Sequence, residues 1–368
     1  MVMSSESRFL RTLSGCLMVA VLAGLPGLPA AQEYFETYGL VADSPSLDLG
    51  NQPLAYPAGV VGAVLRRDRI LKSELERLAT PLATAQFRGG TEMVGLLEAA
   101  KLDAAILGDM PTLSAAVRAD VWIAGLVKQS LTAVVARGEN QIRNLRGKRV
   151  GYVAASSAHH TLLQALASAD LTERDVTLVP ISIDAMPDEL ARGSLDAFAG
   201  WEPAPSIALA RSRQHRTVFR GLSSTYLVIR RGFEQKHPEA ARALVAALVR
   251  AVEWMRLGSA NTTQAARWAM ADEEAFTGKP ARVTVEQAIA ITRRELLNIP
   301  SAPTIAHSPG NMLLKTEFEF LKGQGKLAGT VPWQKVADAF AYEGPRQVFR
   351  EPVRYRTRQV DYDGSTAP

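Results

Sequence analysis

Two serines and a histidine stand together in Ser156-Ser157-Ala158-His159, directly after a short apolar segment. If these residues open a helix, its first backbone N–H groups lack internal partners and favour an anion, and the two hydroxyls add rotatable donors. The alternative is ordinary N-capping by one of the serines. A serine nucleophile activated by the histidine is disfavoured, because the Gly-x-Ser-x-Gly elbow that exposes such a serine is absent around Ser157.

A tryptophan and a carboxylate form a second candidate group in Trp201-Glu202-Pro203. An indole ring can stack on a ligand while the neighbouring acid pairs with a cation or a hydroxyl. The alternative is a tryptophan at the edge of the core with an exposed acid beside it. A third, weaker candidate is Gly89-Gly90-Thr91, whose backbone N–H groups could cradle an anion.

An internal echo places two of the acids at equivalent positions. Leu102-Asp103-Ala104 and Leu195-Asp196-Ala197 are offset by 195 − 102 = 93 residues, and so are Asp109 and Glu202. The echo is either chance similarity between two strand–helix turns or the sign of two lobes with like topology. In the second case each lobe presents an acid at the carboxyl end of a parallel strand, where open α/β sheets bind ligands.

Neither metal nor cofactor binding is expected from the residue types present. The five histidines (159, 160, 215, 237 and 307) show no metal-ligand spacing, and the single cysteine is Cys16. Lys and Arg exceed Asp and Glu by 42 − 37 = 5, and this excess is scattered along the chain. A nucleic-acid partner is therefore not expected.

The composition is that of a folded protein with about two domains. The chain has 368 residues, of which 47% are hydrophobic and 21% charged. Its mean hydropathy of −0.01 excludes a polytopic membrane protein.

The first 31 residues have the form of a secretory signal. Arg8 and Arg11 precede an apolar run from Leu13 to Leu25, and small residues follow at Ala30–Ala31. The run has 13 residues, whereas a membrane-spanning helix needs about 20. We expect residues 1–31 to be cleaved, which removes Cys16 and leaves an exported, periplasmic protein without cysteine.

From Ser46 onward apolar runs alternate with helical stretches, as in βα units. Predicted strands include Val121–Val127 and Leu131–Ala136, and a single long helix is predicted over Val60–Leu78. The chain is then helical from Pro238 almost to residue 341. Residues 342–368 are rich in arginine and lack a helical period, so disorder or a loose surface wrap is predicted for this tail.

The order of these motifs resembles one known family. Arg146-Gly147-Lys148-Arg149-Val150-Gly151, Ser156-Ser157-Ala158-His159, Gly193-Ser194-Leu195-Asp196-Ala197, Trp201-Glu202-Pro203 and His237-Pro238-Glu239-Ala240-Ala241 are similar to stretches of the substrate-binding proteins of ABC importers for sulfonates, taurine and nitrate. The likeness runs from about Ser46 to Ala341. This chain departs from the family at Ala155, where glycine is common, at Glu202, where Asp is usual, and in its tail.

The resemblance implies an α/β fold, the two-lobed periplasmic binding protein fold of type II with two hinge crossings. One lobe would hold residues 46–136 and 223–341 and the other residues 137–222, with hinges near Arg137 and Ser223. The resemblance also implies an interlobe cleft that holds the ligand. Its expected ligand-binding residues are Gln52, Gly90, Thr91, Asp109, Ser156, Ser157, His159, Trp201, Glu202 and Tyr226.

The resulting functional prediction is a monomeric solute-binding protein, not an enzyme, that passes a small organic anion to an ABC permease with its cytoplasmic ATPase. Because acids face the expected cleft, a taurine-like or alkyl sulfonate with a second functional end is favoured over nitrate. If the acids instead pair with cleft arginines such as Arg88, nitrate-sized ions become candidates. The alternatives are a small-molecule enzyme on the same fold, a nitrate binder, or a binder of a heterocycle resembling a thiamine precursor.

Overall fold

The computed structural model describes residues 39–297 and 312–363. The predicted signal segment and Cys16 lie outside these residues. Within them, eight strands form one sheet in the order β2-β1-β3-β8-β4-β7-β5-β6. The strands are β1 (Leu47–Asn51), β2 (Leu82–Gln86), β3 (Ala104–Gly108), β4 (Val121–Arg137), β5 (Arg149–Tyr152), β6 (Thr177–Pro180), β7 (Ala197–Gly200) and β8 (His215–Arg230).

Two long antiparallel strands occupy the middle of the sheet. β4 has 17 residues and β8 has 16, and they pair from Val121 with Arg230 to Arg137 with His215. Three strands flank them on either side, parallel to one another within each set: β1, β2 and β3 beside β8, and β5, β6 and β7 beside β4. The α/β architecture with like topology on both sides of the centre is thus present.

The predicted division of β4 into two strands is wrong. The prediction left Lys128, Gln129 and Ser130 between two strands, but each of them pairs with a residue of β8, and the strand continues through them. Irregular pairing between Leu126 and Lys128 bends the ladder without ending it. The two predicted hinge positions therefore lie within continuous strands, Arg137 at the end of β4 and Ser223 inside β8.

The sequence echo corresponds to a repeated structural device. Asp103, just before β3, accepts a hydrogen bond from the backbone N–H of Asp48 in β1 at 3.1 Å. Asp196, just before β7, accepts one from the backbone N–H of Arg149 in β5 at 2.9 Å. Each aspartate thus fixes the start of a strand against its parallel neighbour, on opposite sides of the sheet.

The predicted helix Val60–Leu78 is two helices, α1 (Ala58–Leu65) and α2 (Arg69–Arg77). The break occurs because Asp68 caps α2, accepting from the backbone N–H of Leu71 at 2.9 Å, while its carboxylate pairs with buried Arg250 at 2.8 Å.

Further helices are α3 (Gly90–Glu98), α4 (Asp109–Arg118), α5 (Ser157–Ala167), α6 (Met186–Arg192), α7 (Ala204–Arg211), α8 (Arg231–Lys236), α9 (Pro238–Arg256), α10 (Ser259–Thr277), α11 (Val285–Thr292), α12 (Met312–Gly323), α13 (Gln334–Ala339) and α14 (Gly344–Arg350). A π-helical turn, Arg293–Leu297, follows α11.

The predicted disorder or loose wrapping of the tail is wrong for residues 342–363. Tyr342, Val348 and Tyr355 are buried in the main hydrophobic core, and Tyr362 packs against Trp254 with ring centroids 4.5 Å apart. Aromatic side chains at irregular intervals anchor this segment, and such anchors produce no helical period in the sequence.

Within the described ranges, none of the helices combines the length and the apolar character needed to cross a lipid bilayer.

Candidate functional site

A cavity of about 310 Å³ lies where the strands β1, β2, β3, β5 and β7 end. Seven of the ten predicted site residues line it: Gln52, Gly90, Thr91, Asp109, Ser156, Ser157 and Trp201. The sheet brings them together because each follows the carboxyl end of a parallel strand, the edge at which open α/β sheets bind ligands. His159, Glu202 and Tyr226 are not among the lining residues.

The start of α5 supplies hydrogen-bond donors to this cavity. Ser156 is the N-cap: its hydroxyl oxygen accepts from the backbone N–H of His159 at 3.1 Å and its hydroxyl donates to the Val153 carbonyl at 2.7 Å. The first helical hydrogen bond runs from His160 N–H to the Ser156 carbonyl, so the N–H groups of Ser157 and Ala158 precede the helical ladder. Ser156 is thus the N-cap, and Ser157, the next residue, lines the cavity, while anion binding at this helix start stays a prediction.

Ala155 holds this turn in a left-handed conformation, with φ of +55°. This region costs an alanine free energy that a glycine does not lose. The strain is offset by a hydrogen bond from the Ala155 N–H to Nδ1 of His159 at 3.2 Å.

His159 points away from the cavity. Because its Nδ1 accepts from Ala155, its Nε2 carries the proton and donates to the Glu173 carboxylate at 3.2 Å. The ring also packs against Tyr152 and Phe320, and burial lowers the pKa of the imidazole. The structure therefore places His159 as a neutral support for the α5 turn, outside the predicted ligand shell.

Glu202 is buried beside the cavity and its carboxylate is occupied. It accepts from the Ser206 hydroxyl at 2.8 Å and pairs with Arg294 at 2.5 Å. Burial, reinforced by the charge of nearby Glu295, raises the pKa of Glu202. Arg88, the arginine suggested as a partner for the cleft acids, lies 3.8 Å from Asp184 instead.

Tyr226 is also set back from the cavity. Its ring is 1% exposed and packs edge-on against Phe340, with ring centroids 6.1 Å apart. Its neighbour Thr225 lines the cavity in its place.

The first two loops of the cavity are fixed by local packing. The Gln52 side chain donates to the Ile106 carbonyl of β3 at 3.0 Å, which ties the loop after β1 to the sheet. A Cβ atom at Gly90 would lie 2.7 Å from the Pro111 ring, so only glycine allows α3 to begin this close to α4. Thr91 lies one residue into α3, at the cavity rim.

Asp109 lines the cavity and faces a second buried acid. Its carboxylate accepts from the backbone N–H groups of Met110 at 2.8 Å and Ser224 at 3.1 Å. On its other side is Glu317 of α12, which is fully buried, and neither Glu317 oxygen has an N–H or O–H donor among the described residues. Burial, and then the charge of Asp109, raise the pKa of Glu317 well above its ordinary value. Burial and the charge of Asp109 thus favour the protonated form of Glu317, which can donate its proton to the Asp109 carboxylate.

Lys128 is a buried charged residue of the cavity that the sequence did not reveal. It lies in the bent part of β4, is 5% exposed, and lines the cavity. Its ammonium group donates to the Ser130 hydroxyl, and the nearest carboxylate oxygen that pairs with it belongs to Glu295, at 3.9 Å. Burial lowers the pKa of Lys128, while the charges of Glu295, Asp109 and Glu202 oppose that shift.

Comparison with known proteins identifies a relative of this chain by sequence. A chain named as an aliphatic sulfonates-binding protein, from Escherichia coli strain K12, is 28% identical over 162 residues, which are 42% of this chain and 50% of that protein. The chain thus spans about half the length of this curated relative.

Two solved structures show the same fold. The periplasmic aliphatic sulphonate binding protein SsuA from Escherichia coli superposes with a TM-score of 0.62 at 19% identity, covering 79% of this chain and 91% of SsuA. The desulfurization enzyme DSZB superposes with a TM-score of 0.57 at 18% identity, covering 84% of this chain and all of that chain. The architecture is therefore the two-lobed periplasmic binding fold, in which both binding proteins and an enzyme occur.

The model of the NMT1-like family matches residues 69–270, which is more than half of the 368 residues and includes the start of α5, the Trp201 loop and Lys128. The chain therefore belongs to the NMT1-like family.

Proposed function

We propose that the protein captures a small sulfonate-type organic anion in the cavity between its two lobes and passes it to an ABC permease. The observation that carries this proposal is the start of α5, where Ser157 lines the cavity and the N–H groups of Ser157 and Ala158 precede the helical hydrogen bonds. Such a helix start binds an anionic head group without a full positive charge. In the same cavity wall the Trp201 indole offers an apolar surface for the body of the ligand. The sulfonate-binding name of the Escherichia coli relative supports this class of anion.

The acids refine the choice of ligand. Glu202 is engaged by Arg294 and does not line the cavity, so it offers little to a ligand amine. Asp109 remains at the cavity wall. An aminosulfonate such as taurine therefore gains at most one acidic contact, and we propose alkanesulfonates as the main class, with nitrate as the smaller alternative.

The proposal also covers export and the motion of the lobes. Residues 1–31 would direct the chain to the periplasm and be removed, and the protein would act as a monomer. The lobes of residues 46–136 plus 223–341 and of residues 137–222 would close about β4 and β8. Contacts across the cavity support closure, since the Tyr56 N–H donates to the Glu202 carbonyl at 3.3 Å.

Calorimetry on the cleaved protein tests the proposal. Propane-1-sulfonate, taurine, nitrate and a thiamine-precursor-like pyrimidine should be titrated separately, and we expect one-to-one binding for the alkanesulfonate. The matched variants are Ser157→Ala, which removes a cavity donor, and Ser156→Ala, which removes the cap. Ser157→Ala should weaken sulfonate binding by about tenfold, the value of a hydrogen bond to a charged group. A chain that binds the pyrimidine and neither anion would contradict the proposal.

An enzyme is the second candidate, because DSZB shares the fold at a TM-score of 0.57. Incubation of the protein with aromatic sulfinates and alkanesulfonates, followed by assay for released sulfite, separates the two functions. Stoichiometric binding without sulfite release favours the binding protein, and catalytic release favours the enzyme.

A further inference from the structure

Lys128 is a buried cation in the cavity lining, and its hydrogen-bonding capacity is only partly used by the residues that the structure describes. Lys128 carries three N–H donors, of which one reaches Ser130. The Glu295 oxygen at 3.9 Å is beyond hydrogen-bond distance and has no hydrogen-bond donor of its own among the described residues. A buried ammonium with open donors is costly unless another acceptor completes its shell.

The remaining charges near Lys128 are already held elsewhere. Glu295 accepts from Arg294 at 2.9 Å, and Arg294 also pairs with Glu202. Asp109 is held by two backbone N–H groups and faces Glu317, whose pKa is raised by burial and by the charge of Asp109. The charges of these acids favour the ammonium form of Lys128, and the carboxylate oxygen that pairs with it, on Glu295, stays 3.9 Å away.

We propose that Lys128 determines the charge specificity of the cavity, by binding the ionised head group of the ligand from the side opposite the α5 start. This inference rests on the proposed function and names the residue that makes the site select an anion over a neutral molecule of the same shape. A neutral ligand can use Ser157 and the helix N–H groups, but it cannot compensate the buried ammonium. An ionised sulfonate can accept from Ser157 and the helix N–H groups and can also compensate the charge of the buried ammonium.

The test compares an anion with a neutral near-isostere, propane-1-sulfonate with methyl propyl sulfone, by calorimetry. The variant is Lys128→Met, and the matched control is Lys335→Met, which removes a solvent-exposed lysine outside the cavity lining. We expect Lys128→Met to weaken the sulfonate by tenfold or more, the range for a charge-assisted hydrogen bond, and to leave the sulfone within about twofold. Lys335→Met should change both ligands by less than about twofold, because exposed charges are screened.

Lys128 also neighbours the buried carboxylate of Glu295, so the folding of the Lys128→Met variant must be checked before its affinities are compared. If Lys128→Met fails to fold, the pair Lys128→Met and Glu295→Gln removes both charges together, and the loss of selectivity for the sulfonate should persist. Equal losses for sulfonate and sulfone, or an unchanged sulfonate affinity, would overturn the assignment.

The same experiment separates this inference from the proposed function. If the wild-type protein binds neither propane-1-sulfonate nor the sulfone, the proposed ligand class is wrong. Nitrate then tests Lys128 alone: thermal stabilisation of the wild type by nitrate that is lost in Lys128→Met supports the charge assignment. Absence of any nitrate effect on the wild type would overturn it.

Discussion

Replacing Glu317 by glutamine tests the proton shared between Glu317 and Asp109. Glutamine keeps the shape, stays neutral at every pH and can still donate to the Asp109 carboxylate. In the folded wild type Glu317 keeps a proton that the unfolded chain releases above its ordinary pKa of 4.5, because burial and Asp109 raise its pKa when folded. The folded state therefore binds more protons, and its stability falls as the pH rises through this window.

The magnitude follows from this linkage. One proton held by the folded state alone changes the free energy of unfolding by about 1.4 kcal/mol per pH unit. Between pH 5 and pH 7 the wild type should lose stability relative to Glu317→Gln, by at most about 2.7 kcal/mol, the limit for one proton over two pH units. The variant should thus gain stability over the wild type with increasing pH.

Urea unfolding at pH 5, 6 and 7 measures this difference directly. The matched control is Glu319→Gln, on the same helix α12, where the carboxylate is 56% exposed and pairs with Lys322 at 3.5 Å. Its difference from the wild type should stay within about 0.5 kcal/mol at all three pH values. A Glu317→Gln difference that does not change with pH would refute the shared proton.

Three further predictions concern the scaffold. Ala155→Gly should raise the free energy of unfolding by up to about 1 kcal/mol, since it relieves the positive φ, and a thermal melt that shows no gain would contradict the strain at this turn. Ser156→Ala should cost about 1 kcal/mol in a urea melt through the lost cap on α5, and a loss below about 0.3 kcal/mol would show that capping is unimportant there. Arg250→Met should cost about 3–5 kcal/mol by leaving Asp68 buried without its partner, and unchanged stability would refute the role of this ion pair in fixing α2.

The positions of the cavity residues could be predicted from the sequence because they depend on local order. Alternating strands and helices put Gln52, Asp109, Ser157 and Trp201 after the ends of parallel strands, and the topology then brings those ends to one edge. The order of the elements does not determine whether a given side chain faces the cavity. Glu202 follows the same strand as Trp201, yet its carboxylate pairs with Arg294 and does not line the cavity.

Other features depend on contacts between distant residues and left no local pattern. Arg294 is 92 residues from Glu202 along the chain, so their ion pair could not be inferred from spacing. Lys128 lies between the two strands that the sequence predicted in place of β4. The acids whose charges favour its ammonium form belong to other elements, so no local pattern indicates that this lysine is buried in a strand. The tail was misjudged because Tyr355 and Tyr362 bury their rings in a core built by earlier parts of the chain.

Backbone amide NMR during titration with propane-1-sulfonate tests the central claim most directly, because it locates the anion as well as detecting it. The account predicts saturable shifts of the Ser157 and Ala158 N–H signals and of the Trp201 indole N–H, all with one dissociation constant that matches calorimetry. Binding with unchanged Ser157 and Ala158 signals would place the anion elsewhere and contradict the assignment of the α5 start as its site.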